Sequence, residues 1–80
     1  MSKKNRDLQV VVKEEKVTYE GQAYPGTTLW FGKNKMGTII PDKKGGYLGF
    51  MAGDENNKFR AKYFDECVES VIKEWNLHHN

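Results

Sequence analysis

The hydrophobic period of this chain changes once, near Phe64, and that change limits the fold more than any other feature. Beyond Phe64, Val68, Val71, Ile72 and Trp75 recur at i, i+3, i+4 and i+7, which places them on one face of an α-helix. Glu66, Glu69, Ser70, Lys73 and Glu74 take the opposite side. Asp65 is the expected N-cap, its carboxylate accepting from first-turn amides, with Phe64 before it as a hydrophobic staple. Asn76 and the polar residues after it mark the expected end.

Before Phe64 the chain is a series of short β-prone runs separated by turn chemistry. Residues 8–13 read as a first strand, which either stops at the charged stretch 13–16 or runs on to Tyr19. Glu20-Gly21 suits a tight hairpin turn, because glycine accepts positive φ. Pro25-Gly26 reads as a type II turn. Further strands are expected over 28–32, 36–40, 47–52 and 58–63, with turns at 33–35, 42–46 and 53–57. A sheet followed by one amphipathic helix closes its core by laying the helix across one face. The expected fold is therefore α+β: a curved antiparallel sheet, a meander of short strands, with one C-terminal amphipathic helix packed on one face. A small barrel with the helix plugging one end is the alternative. The single domain is expected over residues 8–76, between a flexible basic tail at 1–7 and a polar tail at 77–80.

Composition narrows the function classes. Cys67 is the only cysteine among 80 residues, so no intramolecular disulfide framework can form. The apolar run at 8–12 is too short for a signal-peptide core, and no run approaches the length of a membrane span. The expectation is a cytoplasmic protein with no membrane partner. His78 and His79 sit together at the chain end, and Cys67 has no CxxC or HxxxH partner, so neither a metal nor any other cofactor is expected. Cys67 falls in the first helical turn, where the helix dipole can lower a thiol pKa, but no base or cation accompanies it, and packing is the expected role. GxSxG, HExxH, Walker and GxGxxG patterns are all missing. Gly45-Gly46 lies between two strand-like runs rather than at the start of a helix. The chain is expected not to be an enzyme.

The net charge of +2 conceals a division. Residues 29–62 carry seven cations against three anions, and residues 65–75 carry four anions against one cation. Alternation assigns sides within the strands. Phe59, Ala61 and Tyr63 are expected to point inward and Lys58, Arg60 and Lys62 outward. Leu48 and Phe50 are expected in the core, with Tyr47, Gly49 and Met51 outward. Trp30 lies opposite Leu29 and Phe31, and alternation does not say which side is buried. The candidate binding residues are thus Trp30, Lys33, Lys35, Lys43, Lys44, Tyr47, Lys58, Arg60 and Lys62. Cations at these positions would neutralise phosphates, exposed rings would stack on unpaired bases, and Gly49 would admit a close approach. The plainer reading of the same residues is lysines that keep an edge strand from pairing, and aromatic walls of a core.

The element order over Leu29–Ile40, the Tyr47-Leu48-Gly49-Phe50 strand and the helix after Phe64 resembles the three-stranded-sheet-plus-helix modules of AP2-type and integrase-arm DNA-binding domains. The resemblance covers about the last fifty residues and implies a sheet that meets nucleic acid. The arginine-rich base-reading strands of those modules have no counterpart here. Arg60 is the only arginine in the stretch, and lysine suits phosphate contact rather than bidentate base reading, so no site residue carries over. Two functions are expected of such a chain. The first is a small non-catalytic accessory or inhibitor module, of the kind encoded by phage or mobile elements, acting by protein–protein contact through the free sheet face. The alternative is a nucleic-acid-binding domain using a basic, aromatic-interleaved face. A second copy of the chain docking on the bare face is a further candidate partner.

Overall fold

The computed structural model describes residues 10–78. The N-terminal stretch expected as a tail lies outside the described residues, as do His79 and Asn80. β1 (Val10–Tyr19) and β2 (Gln22–Phe31) form a long hairpin, followed by β3 (Asn34–Pro41), β4 (Tyr47–Met51), β5 (Asp54–Ala61) and helix α1 (Phe64–His78). The strands build one antiparallel sheet in the order β1-β2-β3-β4-β5, which does not close into a barrel. α1 packs on β3, β4 and β5. The expected α+β architecture is the observed one. The sheet has five strands, however, where the DNA-binding modules it resembles have three.

Turn chemistry explains most of the connections. Glu20 (φ 52°) and Gly21 (φ 80°) both lie in the left-handed region, as a two-residue type I′ hairpin requires. β1 therefore runs unbroken to Tyr19 through its charged centre. The Asp42–Gly46 turn is closed by the Gly45 amide donating to the Asp42 carbonyl at 2.9 Å and the Asp42 amide donating to the Gly46 carbonyl at 3.0 Å.

Pro25-Gly26 is not a turn. Both residues lie inside β2, paired with Lys16 and Glu15 of β1. β2 meets β3 only from Thr27 onward, so Pro25 sits where the missing amide breaks no ladder bond on the β3 side. A Cβ on Gly26 would come 2.3 Å from the Val17 side chain. The pair lets the strand bend rather than reverse. β5 likewise begins at Asp54, where a turn cluster was expected to continue through Asn57. The irregular register between Phe50 and Met51 takes up the extra residues.

α1 starts at Phe64, with the Cys67 amide donating to the Tyr63 carbonyl at 3.3 Å. Asp65 thus lies within the first turn and is not the cap, though it still places negative charge at the positive end of the helix dipole. The helix continues past Asn76 to His78. Among the described residues no helix is long and apolar enough to cross a membrane.

The sheet is buried on both sides, and this reverses part of the expected sidedness. Between α1 and the sheet, Leu29, Met36, Ile39 and Met51 of the strands meet Cys67 and Val71 of the helix, with Tyr47, Phe59 and Ala61 packed alongside. Tyr47, Gly49 and Met51, expected outward, therefore face the helix. Gly49 and Gly37 form the bed for it: a Cβ on Gly49 would lie 2.7 Å from Cys67 Sγ, and one on Gly37 would lie 2.8 Å from the Val71 side chain. The close approach expected at Gly49 exists, and it is made by the protein's own helix. Leu48 and Phe50 are in a core as expected, but a second one on the far side, with Tyr19 and Ile40. That core exists because the tip of the β1–β2 hairpin curls over the sheet. Tyr19 of β1 stacks on Phe50 of β4 with ring centroids 5.0 Å apart, although β2 and β3 separate those strands in the sheet.

Candidate functional site

The curled hairpin tip, the Asp42–Gly46 turn and β5 enclose a basic cleft. Its deeper part, about 280 Å³, is lined by Tyr19, Tyr24, Ile40, Leu48, Lys58 and Arg60, with Lys43 and Lys44 at the rim. It adjoins a shallower depression of about 440 Å³ between the same turn and Arg60–Lys62. Together they gather Lys43, Lys44, Lys58, Arg60 and Lys62 against two carboxylates, Glu20 and Asp42, a net +3.

The local structure positions each cation. Lys58 and Arg60 share a face because the strand period is two. Lys58 Nζ donates to the Tyr19 hydroxyl at 2.9 Å and lies 5.6 Å from that ring's centroid. The hydrogen bond to Tyr19 raises the Lys58 pKa above its ordinary value, so it stays cationic at any physiological pH. Arg60 Nε lies 3.7 Å from Asp42 Oδ2. Asp42 also caps its own turn, Oδ1 accepting from the Lys44 amide at 3.2 Å, and this fixes where Lys43 and Lys44 project. Lys62 follows the end of β5, its Nζ 5.7 Å from the exposed Tyr63 ring. Tyr63 had been expected inward. It is 58% exposed, because the strand ends at Ala61 and the alternation ends with it.

The nine candidate residues therefore divide. Lys43, Lys44, Lys58, Arg60 and Lys62 converge on the cleft. Tyr47 does not: its ring lies edge-on to Phe64, centroids 5.5 Å apart, on the helix side. Trp30, Lys33 and Lys35 belong to the β2–β3 end, about 20 Å away along β3 at the usual rise per residue. Trp30 is half-buried, its indole N–H donating to the Thr28 hydroxyl at 2.9 Å and Lys13 Nζ lying 5.0 Å from its ring. Tyr19 and Tyr24, which line the cleft, were missed. Period-two spacing places both on one face of the hairpin, but no local signal says that the hairpin folds back onto β4.

Cys67, at the other side of the sheet, is fully buried, and burial pushes its thiol pKa up to about 11. Among the described residues no group of three or more His, Cys, Asp or Glu side chains could hold a metal ion.

These features define a small α+β domain with a half-closed sheet and one basic cleft. The chain belongs to the family described as a protein of unknown function, DUF2969, whose model matches residues 1–78. No curated protein and no solved structure matches it.

Proposed function

We propose that the protein is a non-catalytic binding module that holds the phosphate backbone of nucleic acid in the basic cleft. The observation that carries this reading is the convergence of Lys43, Lys44, Lys58, Arg60 and Lys62 on two adjoining depressions that share Lys44 and Arg60, with only two carboxylates, Glu20 and Asp42, among the lining residues. Tyr19 is engaged with Phe50 and Trp30 lies at the other end of the sheet, so phosphate contact rather than base stacking supplies the affinity. Binding of that kind is salt-sensitive and largely independent of sequence.

The test is fluorescence anisotropy with a labelled single strand and a duplex of equal length, titrated across salt. With three to four phosphates neutralised on a single strand, the log–log salt slope is about −2 to −3. Replacing Lys43, Lys44 and Lys62 together with alanine spares Lys58 and Arg60, which make structural contacts. It is expected to weaken binding at least about tenfold and flatten the slope. No binding at low salt, or binding indifferent to the triple variant, sinks the reading.

An accessory role through protein contact is the second reading, and the acidic outer side of α1 favours it. Asp65, Glu66 and Glu69 are exposed there, a surface suited to steering a basic partner. The sheet face expected to serve that role is already occupied by the hairpin tip. Stoichiometric capture of a protein from lysate that survives nuclease treatment, and is lost on reversing the charges of Asp65, Glu66 and Glu69, would favour this reading.

A further inference from the structure

The two edges of the sheet are built differently. At β5 residues 55–57 drop out of the ladder opposite Phe50 and Met51, and Lys58 and Arg60 present like charges. Both features blunt an edge against pairing. β1 has neither. It pairs with β2 at every position from Val10 to Tyr19 without irregularity, contains no proline or glycine, and carries Lys13, Glu14, Glu15 and Lys16 at its centre. Val11 and Val12 are 47% and 51% exposed beside them.

The hairpin turn determines which backbone groups of this edge are free. In a two-residue hairpin the flanking residues, here Tyr19 and Gln22, exchange both ladder bonds. The odd-numbered residues of β1 therefore bond to β2. The even-numbered ones, from Val10 to Thr18, turn their N–H and C=O groups to the open side.

We propose that β1 is a dimerisation edge, pairing antiparallel with β1 of a second copy about a two-fold axis at Glu14. An axis perpendicular to the sheet keeps each residue on its own face, so only residues of equal parity can pair. Centred on Glu14, Lys13 of each chain faces Glu15 of the other and Val11 faces Val17. On the opposite face Val12 lies against the aliphatic stem of Lys16. The Lys13–Glu15 pairs occupy the non-hydrogen-bonded positions, where side chains approach most closely. The two Glu14 residues meet at a wider hydrogen-bonded position, with Lys16 of both chains as diagonal neighbours. Centring on Lys13 instead sets two lysines against each other. Centring on Glu15 sets two carboxylates at the close position and leaves Lys13 opposite Val17. Both charged residues lie on one face of the hairpin: Glu15 Oε2 accepts from the Thr28 hydroxyl at 2.7 Å, and Lys13 Nζ sits 5.0 Å from the Trp30 ring centroid. The mixed signs that discourage random strand pairing thus select one partner, a second copy of the chain. The proposal uses residues 10–18 and none of the cleft cations, so it stands or falls separately from nucleic-acid binding.

Analytical ultracentrifugation of the full chain tests it, from about 1 μM to about 1 mM, a span that brackets a modest interface. The sedimentation coefficient is expected to rise from monomer to dimer. Lys13→Glu and Glu15→Lys are each expected to raise the dimer dissociation constant about tenfold, because two symmetry-related pairs turn repulsive. The double variant Lys13→Glu/Glu15→Lys regenerates the pairs in reverse and is expected to restore dimerisation. Glu14→Pro removes a donor on the open side without costing a β1–β2 bond, and is expected to abolish the dimer. Thermal melting of each variant shows that it is folded. A chain that stays monomeric throughout overturns the proposal. So does a dimer that ignores Lys13→Glu and Glu14→Pro, or a folded double variant that fails to recover.

Discussion

At Cys67 two physical effects oppose one another. Its place in the first turn of α1 favours a thiolate, since the helix dipole is positive there. Its burial against Gly49 removes the water a thiolate needs, and burial prevails, holding the pKa up to about 11. A thiol reagent at pH 8 is therefore expected to leave the folded protein unlabelled and to react rapidly in denaturant. The same shift carries a sign for stability. Below the ordinary thiol pKa both states hold the proton. Between that value and about 11 the unfolded chain releases it while the folded chain keeps it, so stability falls as pH rises through the window. The urea midpoint is expected to drop on going from pH 8 to pH 10.5, with the drop smaller in Cys67→Ala. Sequence reading placed Cys67 in helix packing. It could not name Gly49 as the packing partner, because that contact joins two elements eighteen residues apart.

Among the elements, the β1–β2 hairpin is the one whose local signals and final shape differ most. Its turn was legible, since Glu20-Gly21 supplies the positive φ that a two-residue connection needs. Its bend was not, because Pro-Gly has the same local preferences in a turn as in a strand that must curve with one side unpaired. The tip beyond that bend is fastened to the rest of the sheet by Tyr19, through its stack on Phe50 and the Lys58 hydrogen bond. Tyr19→Ala is expected to raise hydrogen exchange of the amides between residues 16 and 25 at least about tenfold, with the helix amides little changed. Tyr19→Phe keeps the stack and is expected to stay much closer to the wild type. Uniform exchange in Tyr19→Ala would show that the tip is held by something else. α1, by contrast, was legible almost to its ends. A 3.6-residue period over four apolar positions leaves one face to bury, and only the two ends were misplaced, each by about two residues.

Across the whole molecule, one sheet carries a core on each side, and the two clusters share strands β3 and β4. Shared strands couple the clusters, so neither can be lost without exposing the back of the other. Tryptophan fluorescence, reporting Trp30 and Trp75, and far-ultraviolet dichroism are expected to follow one superimposable thermal transition. Separate midpoints would mean that the hairpin tip and its core melt independently. This double burial also explains why sidedness was misread at β4. Alternation divides Tyr47, Gly49 and Met51 from Leu48 and Phe50, but it names the buried side only when one side is wet. The charge division between a basic sheet and an acidic helix was visible in the chain. The separation of Lys33 and Lys35 from the other five cations was not.

By itself the sequence determined the periods: where strands give way to helix, where the left-handed turns fall, and which residues alternate together. These depend on neighbours within a few positions, and local sterics and hydrophobic spacing are sufficient to set them. Only the tertiary structure decided that the hairpin folds back over β4, that the second sheet face is therefore closed, and that five cations meet at one cleft. Those outcomes rest on contacts between residues as far apart as Tyr19 and Lys58. Such contacts depend on how the whole sheet curves, and no local pattern in the chain encodes that curvature.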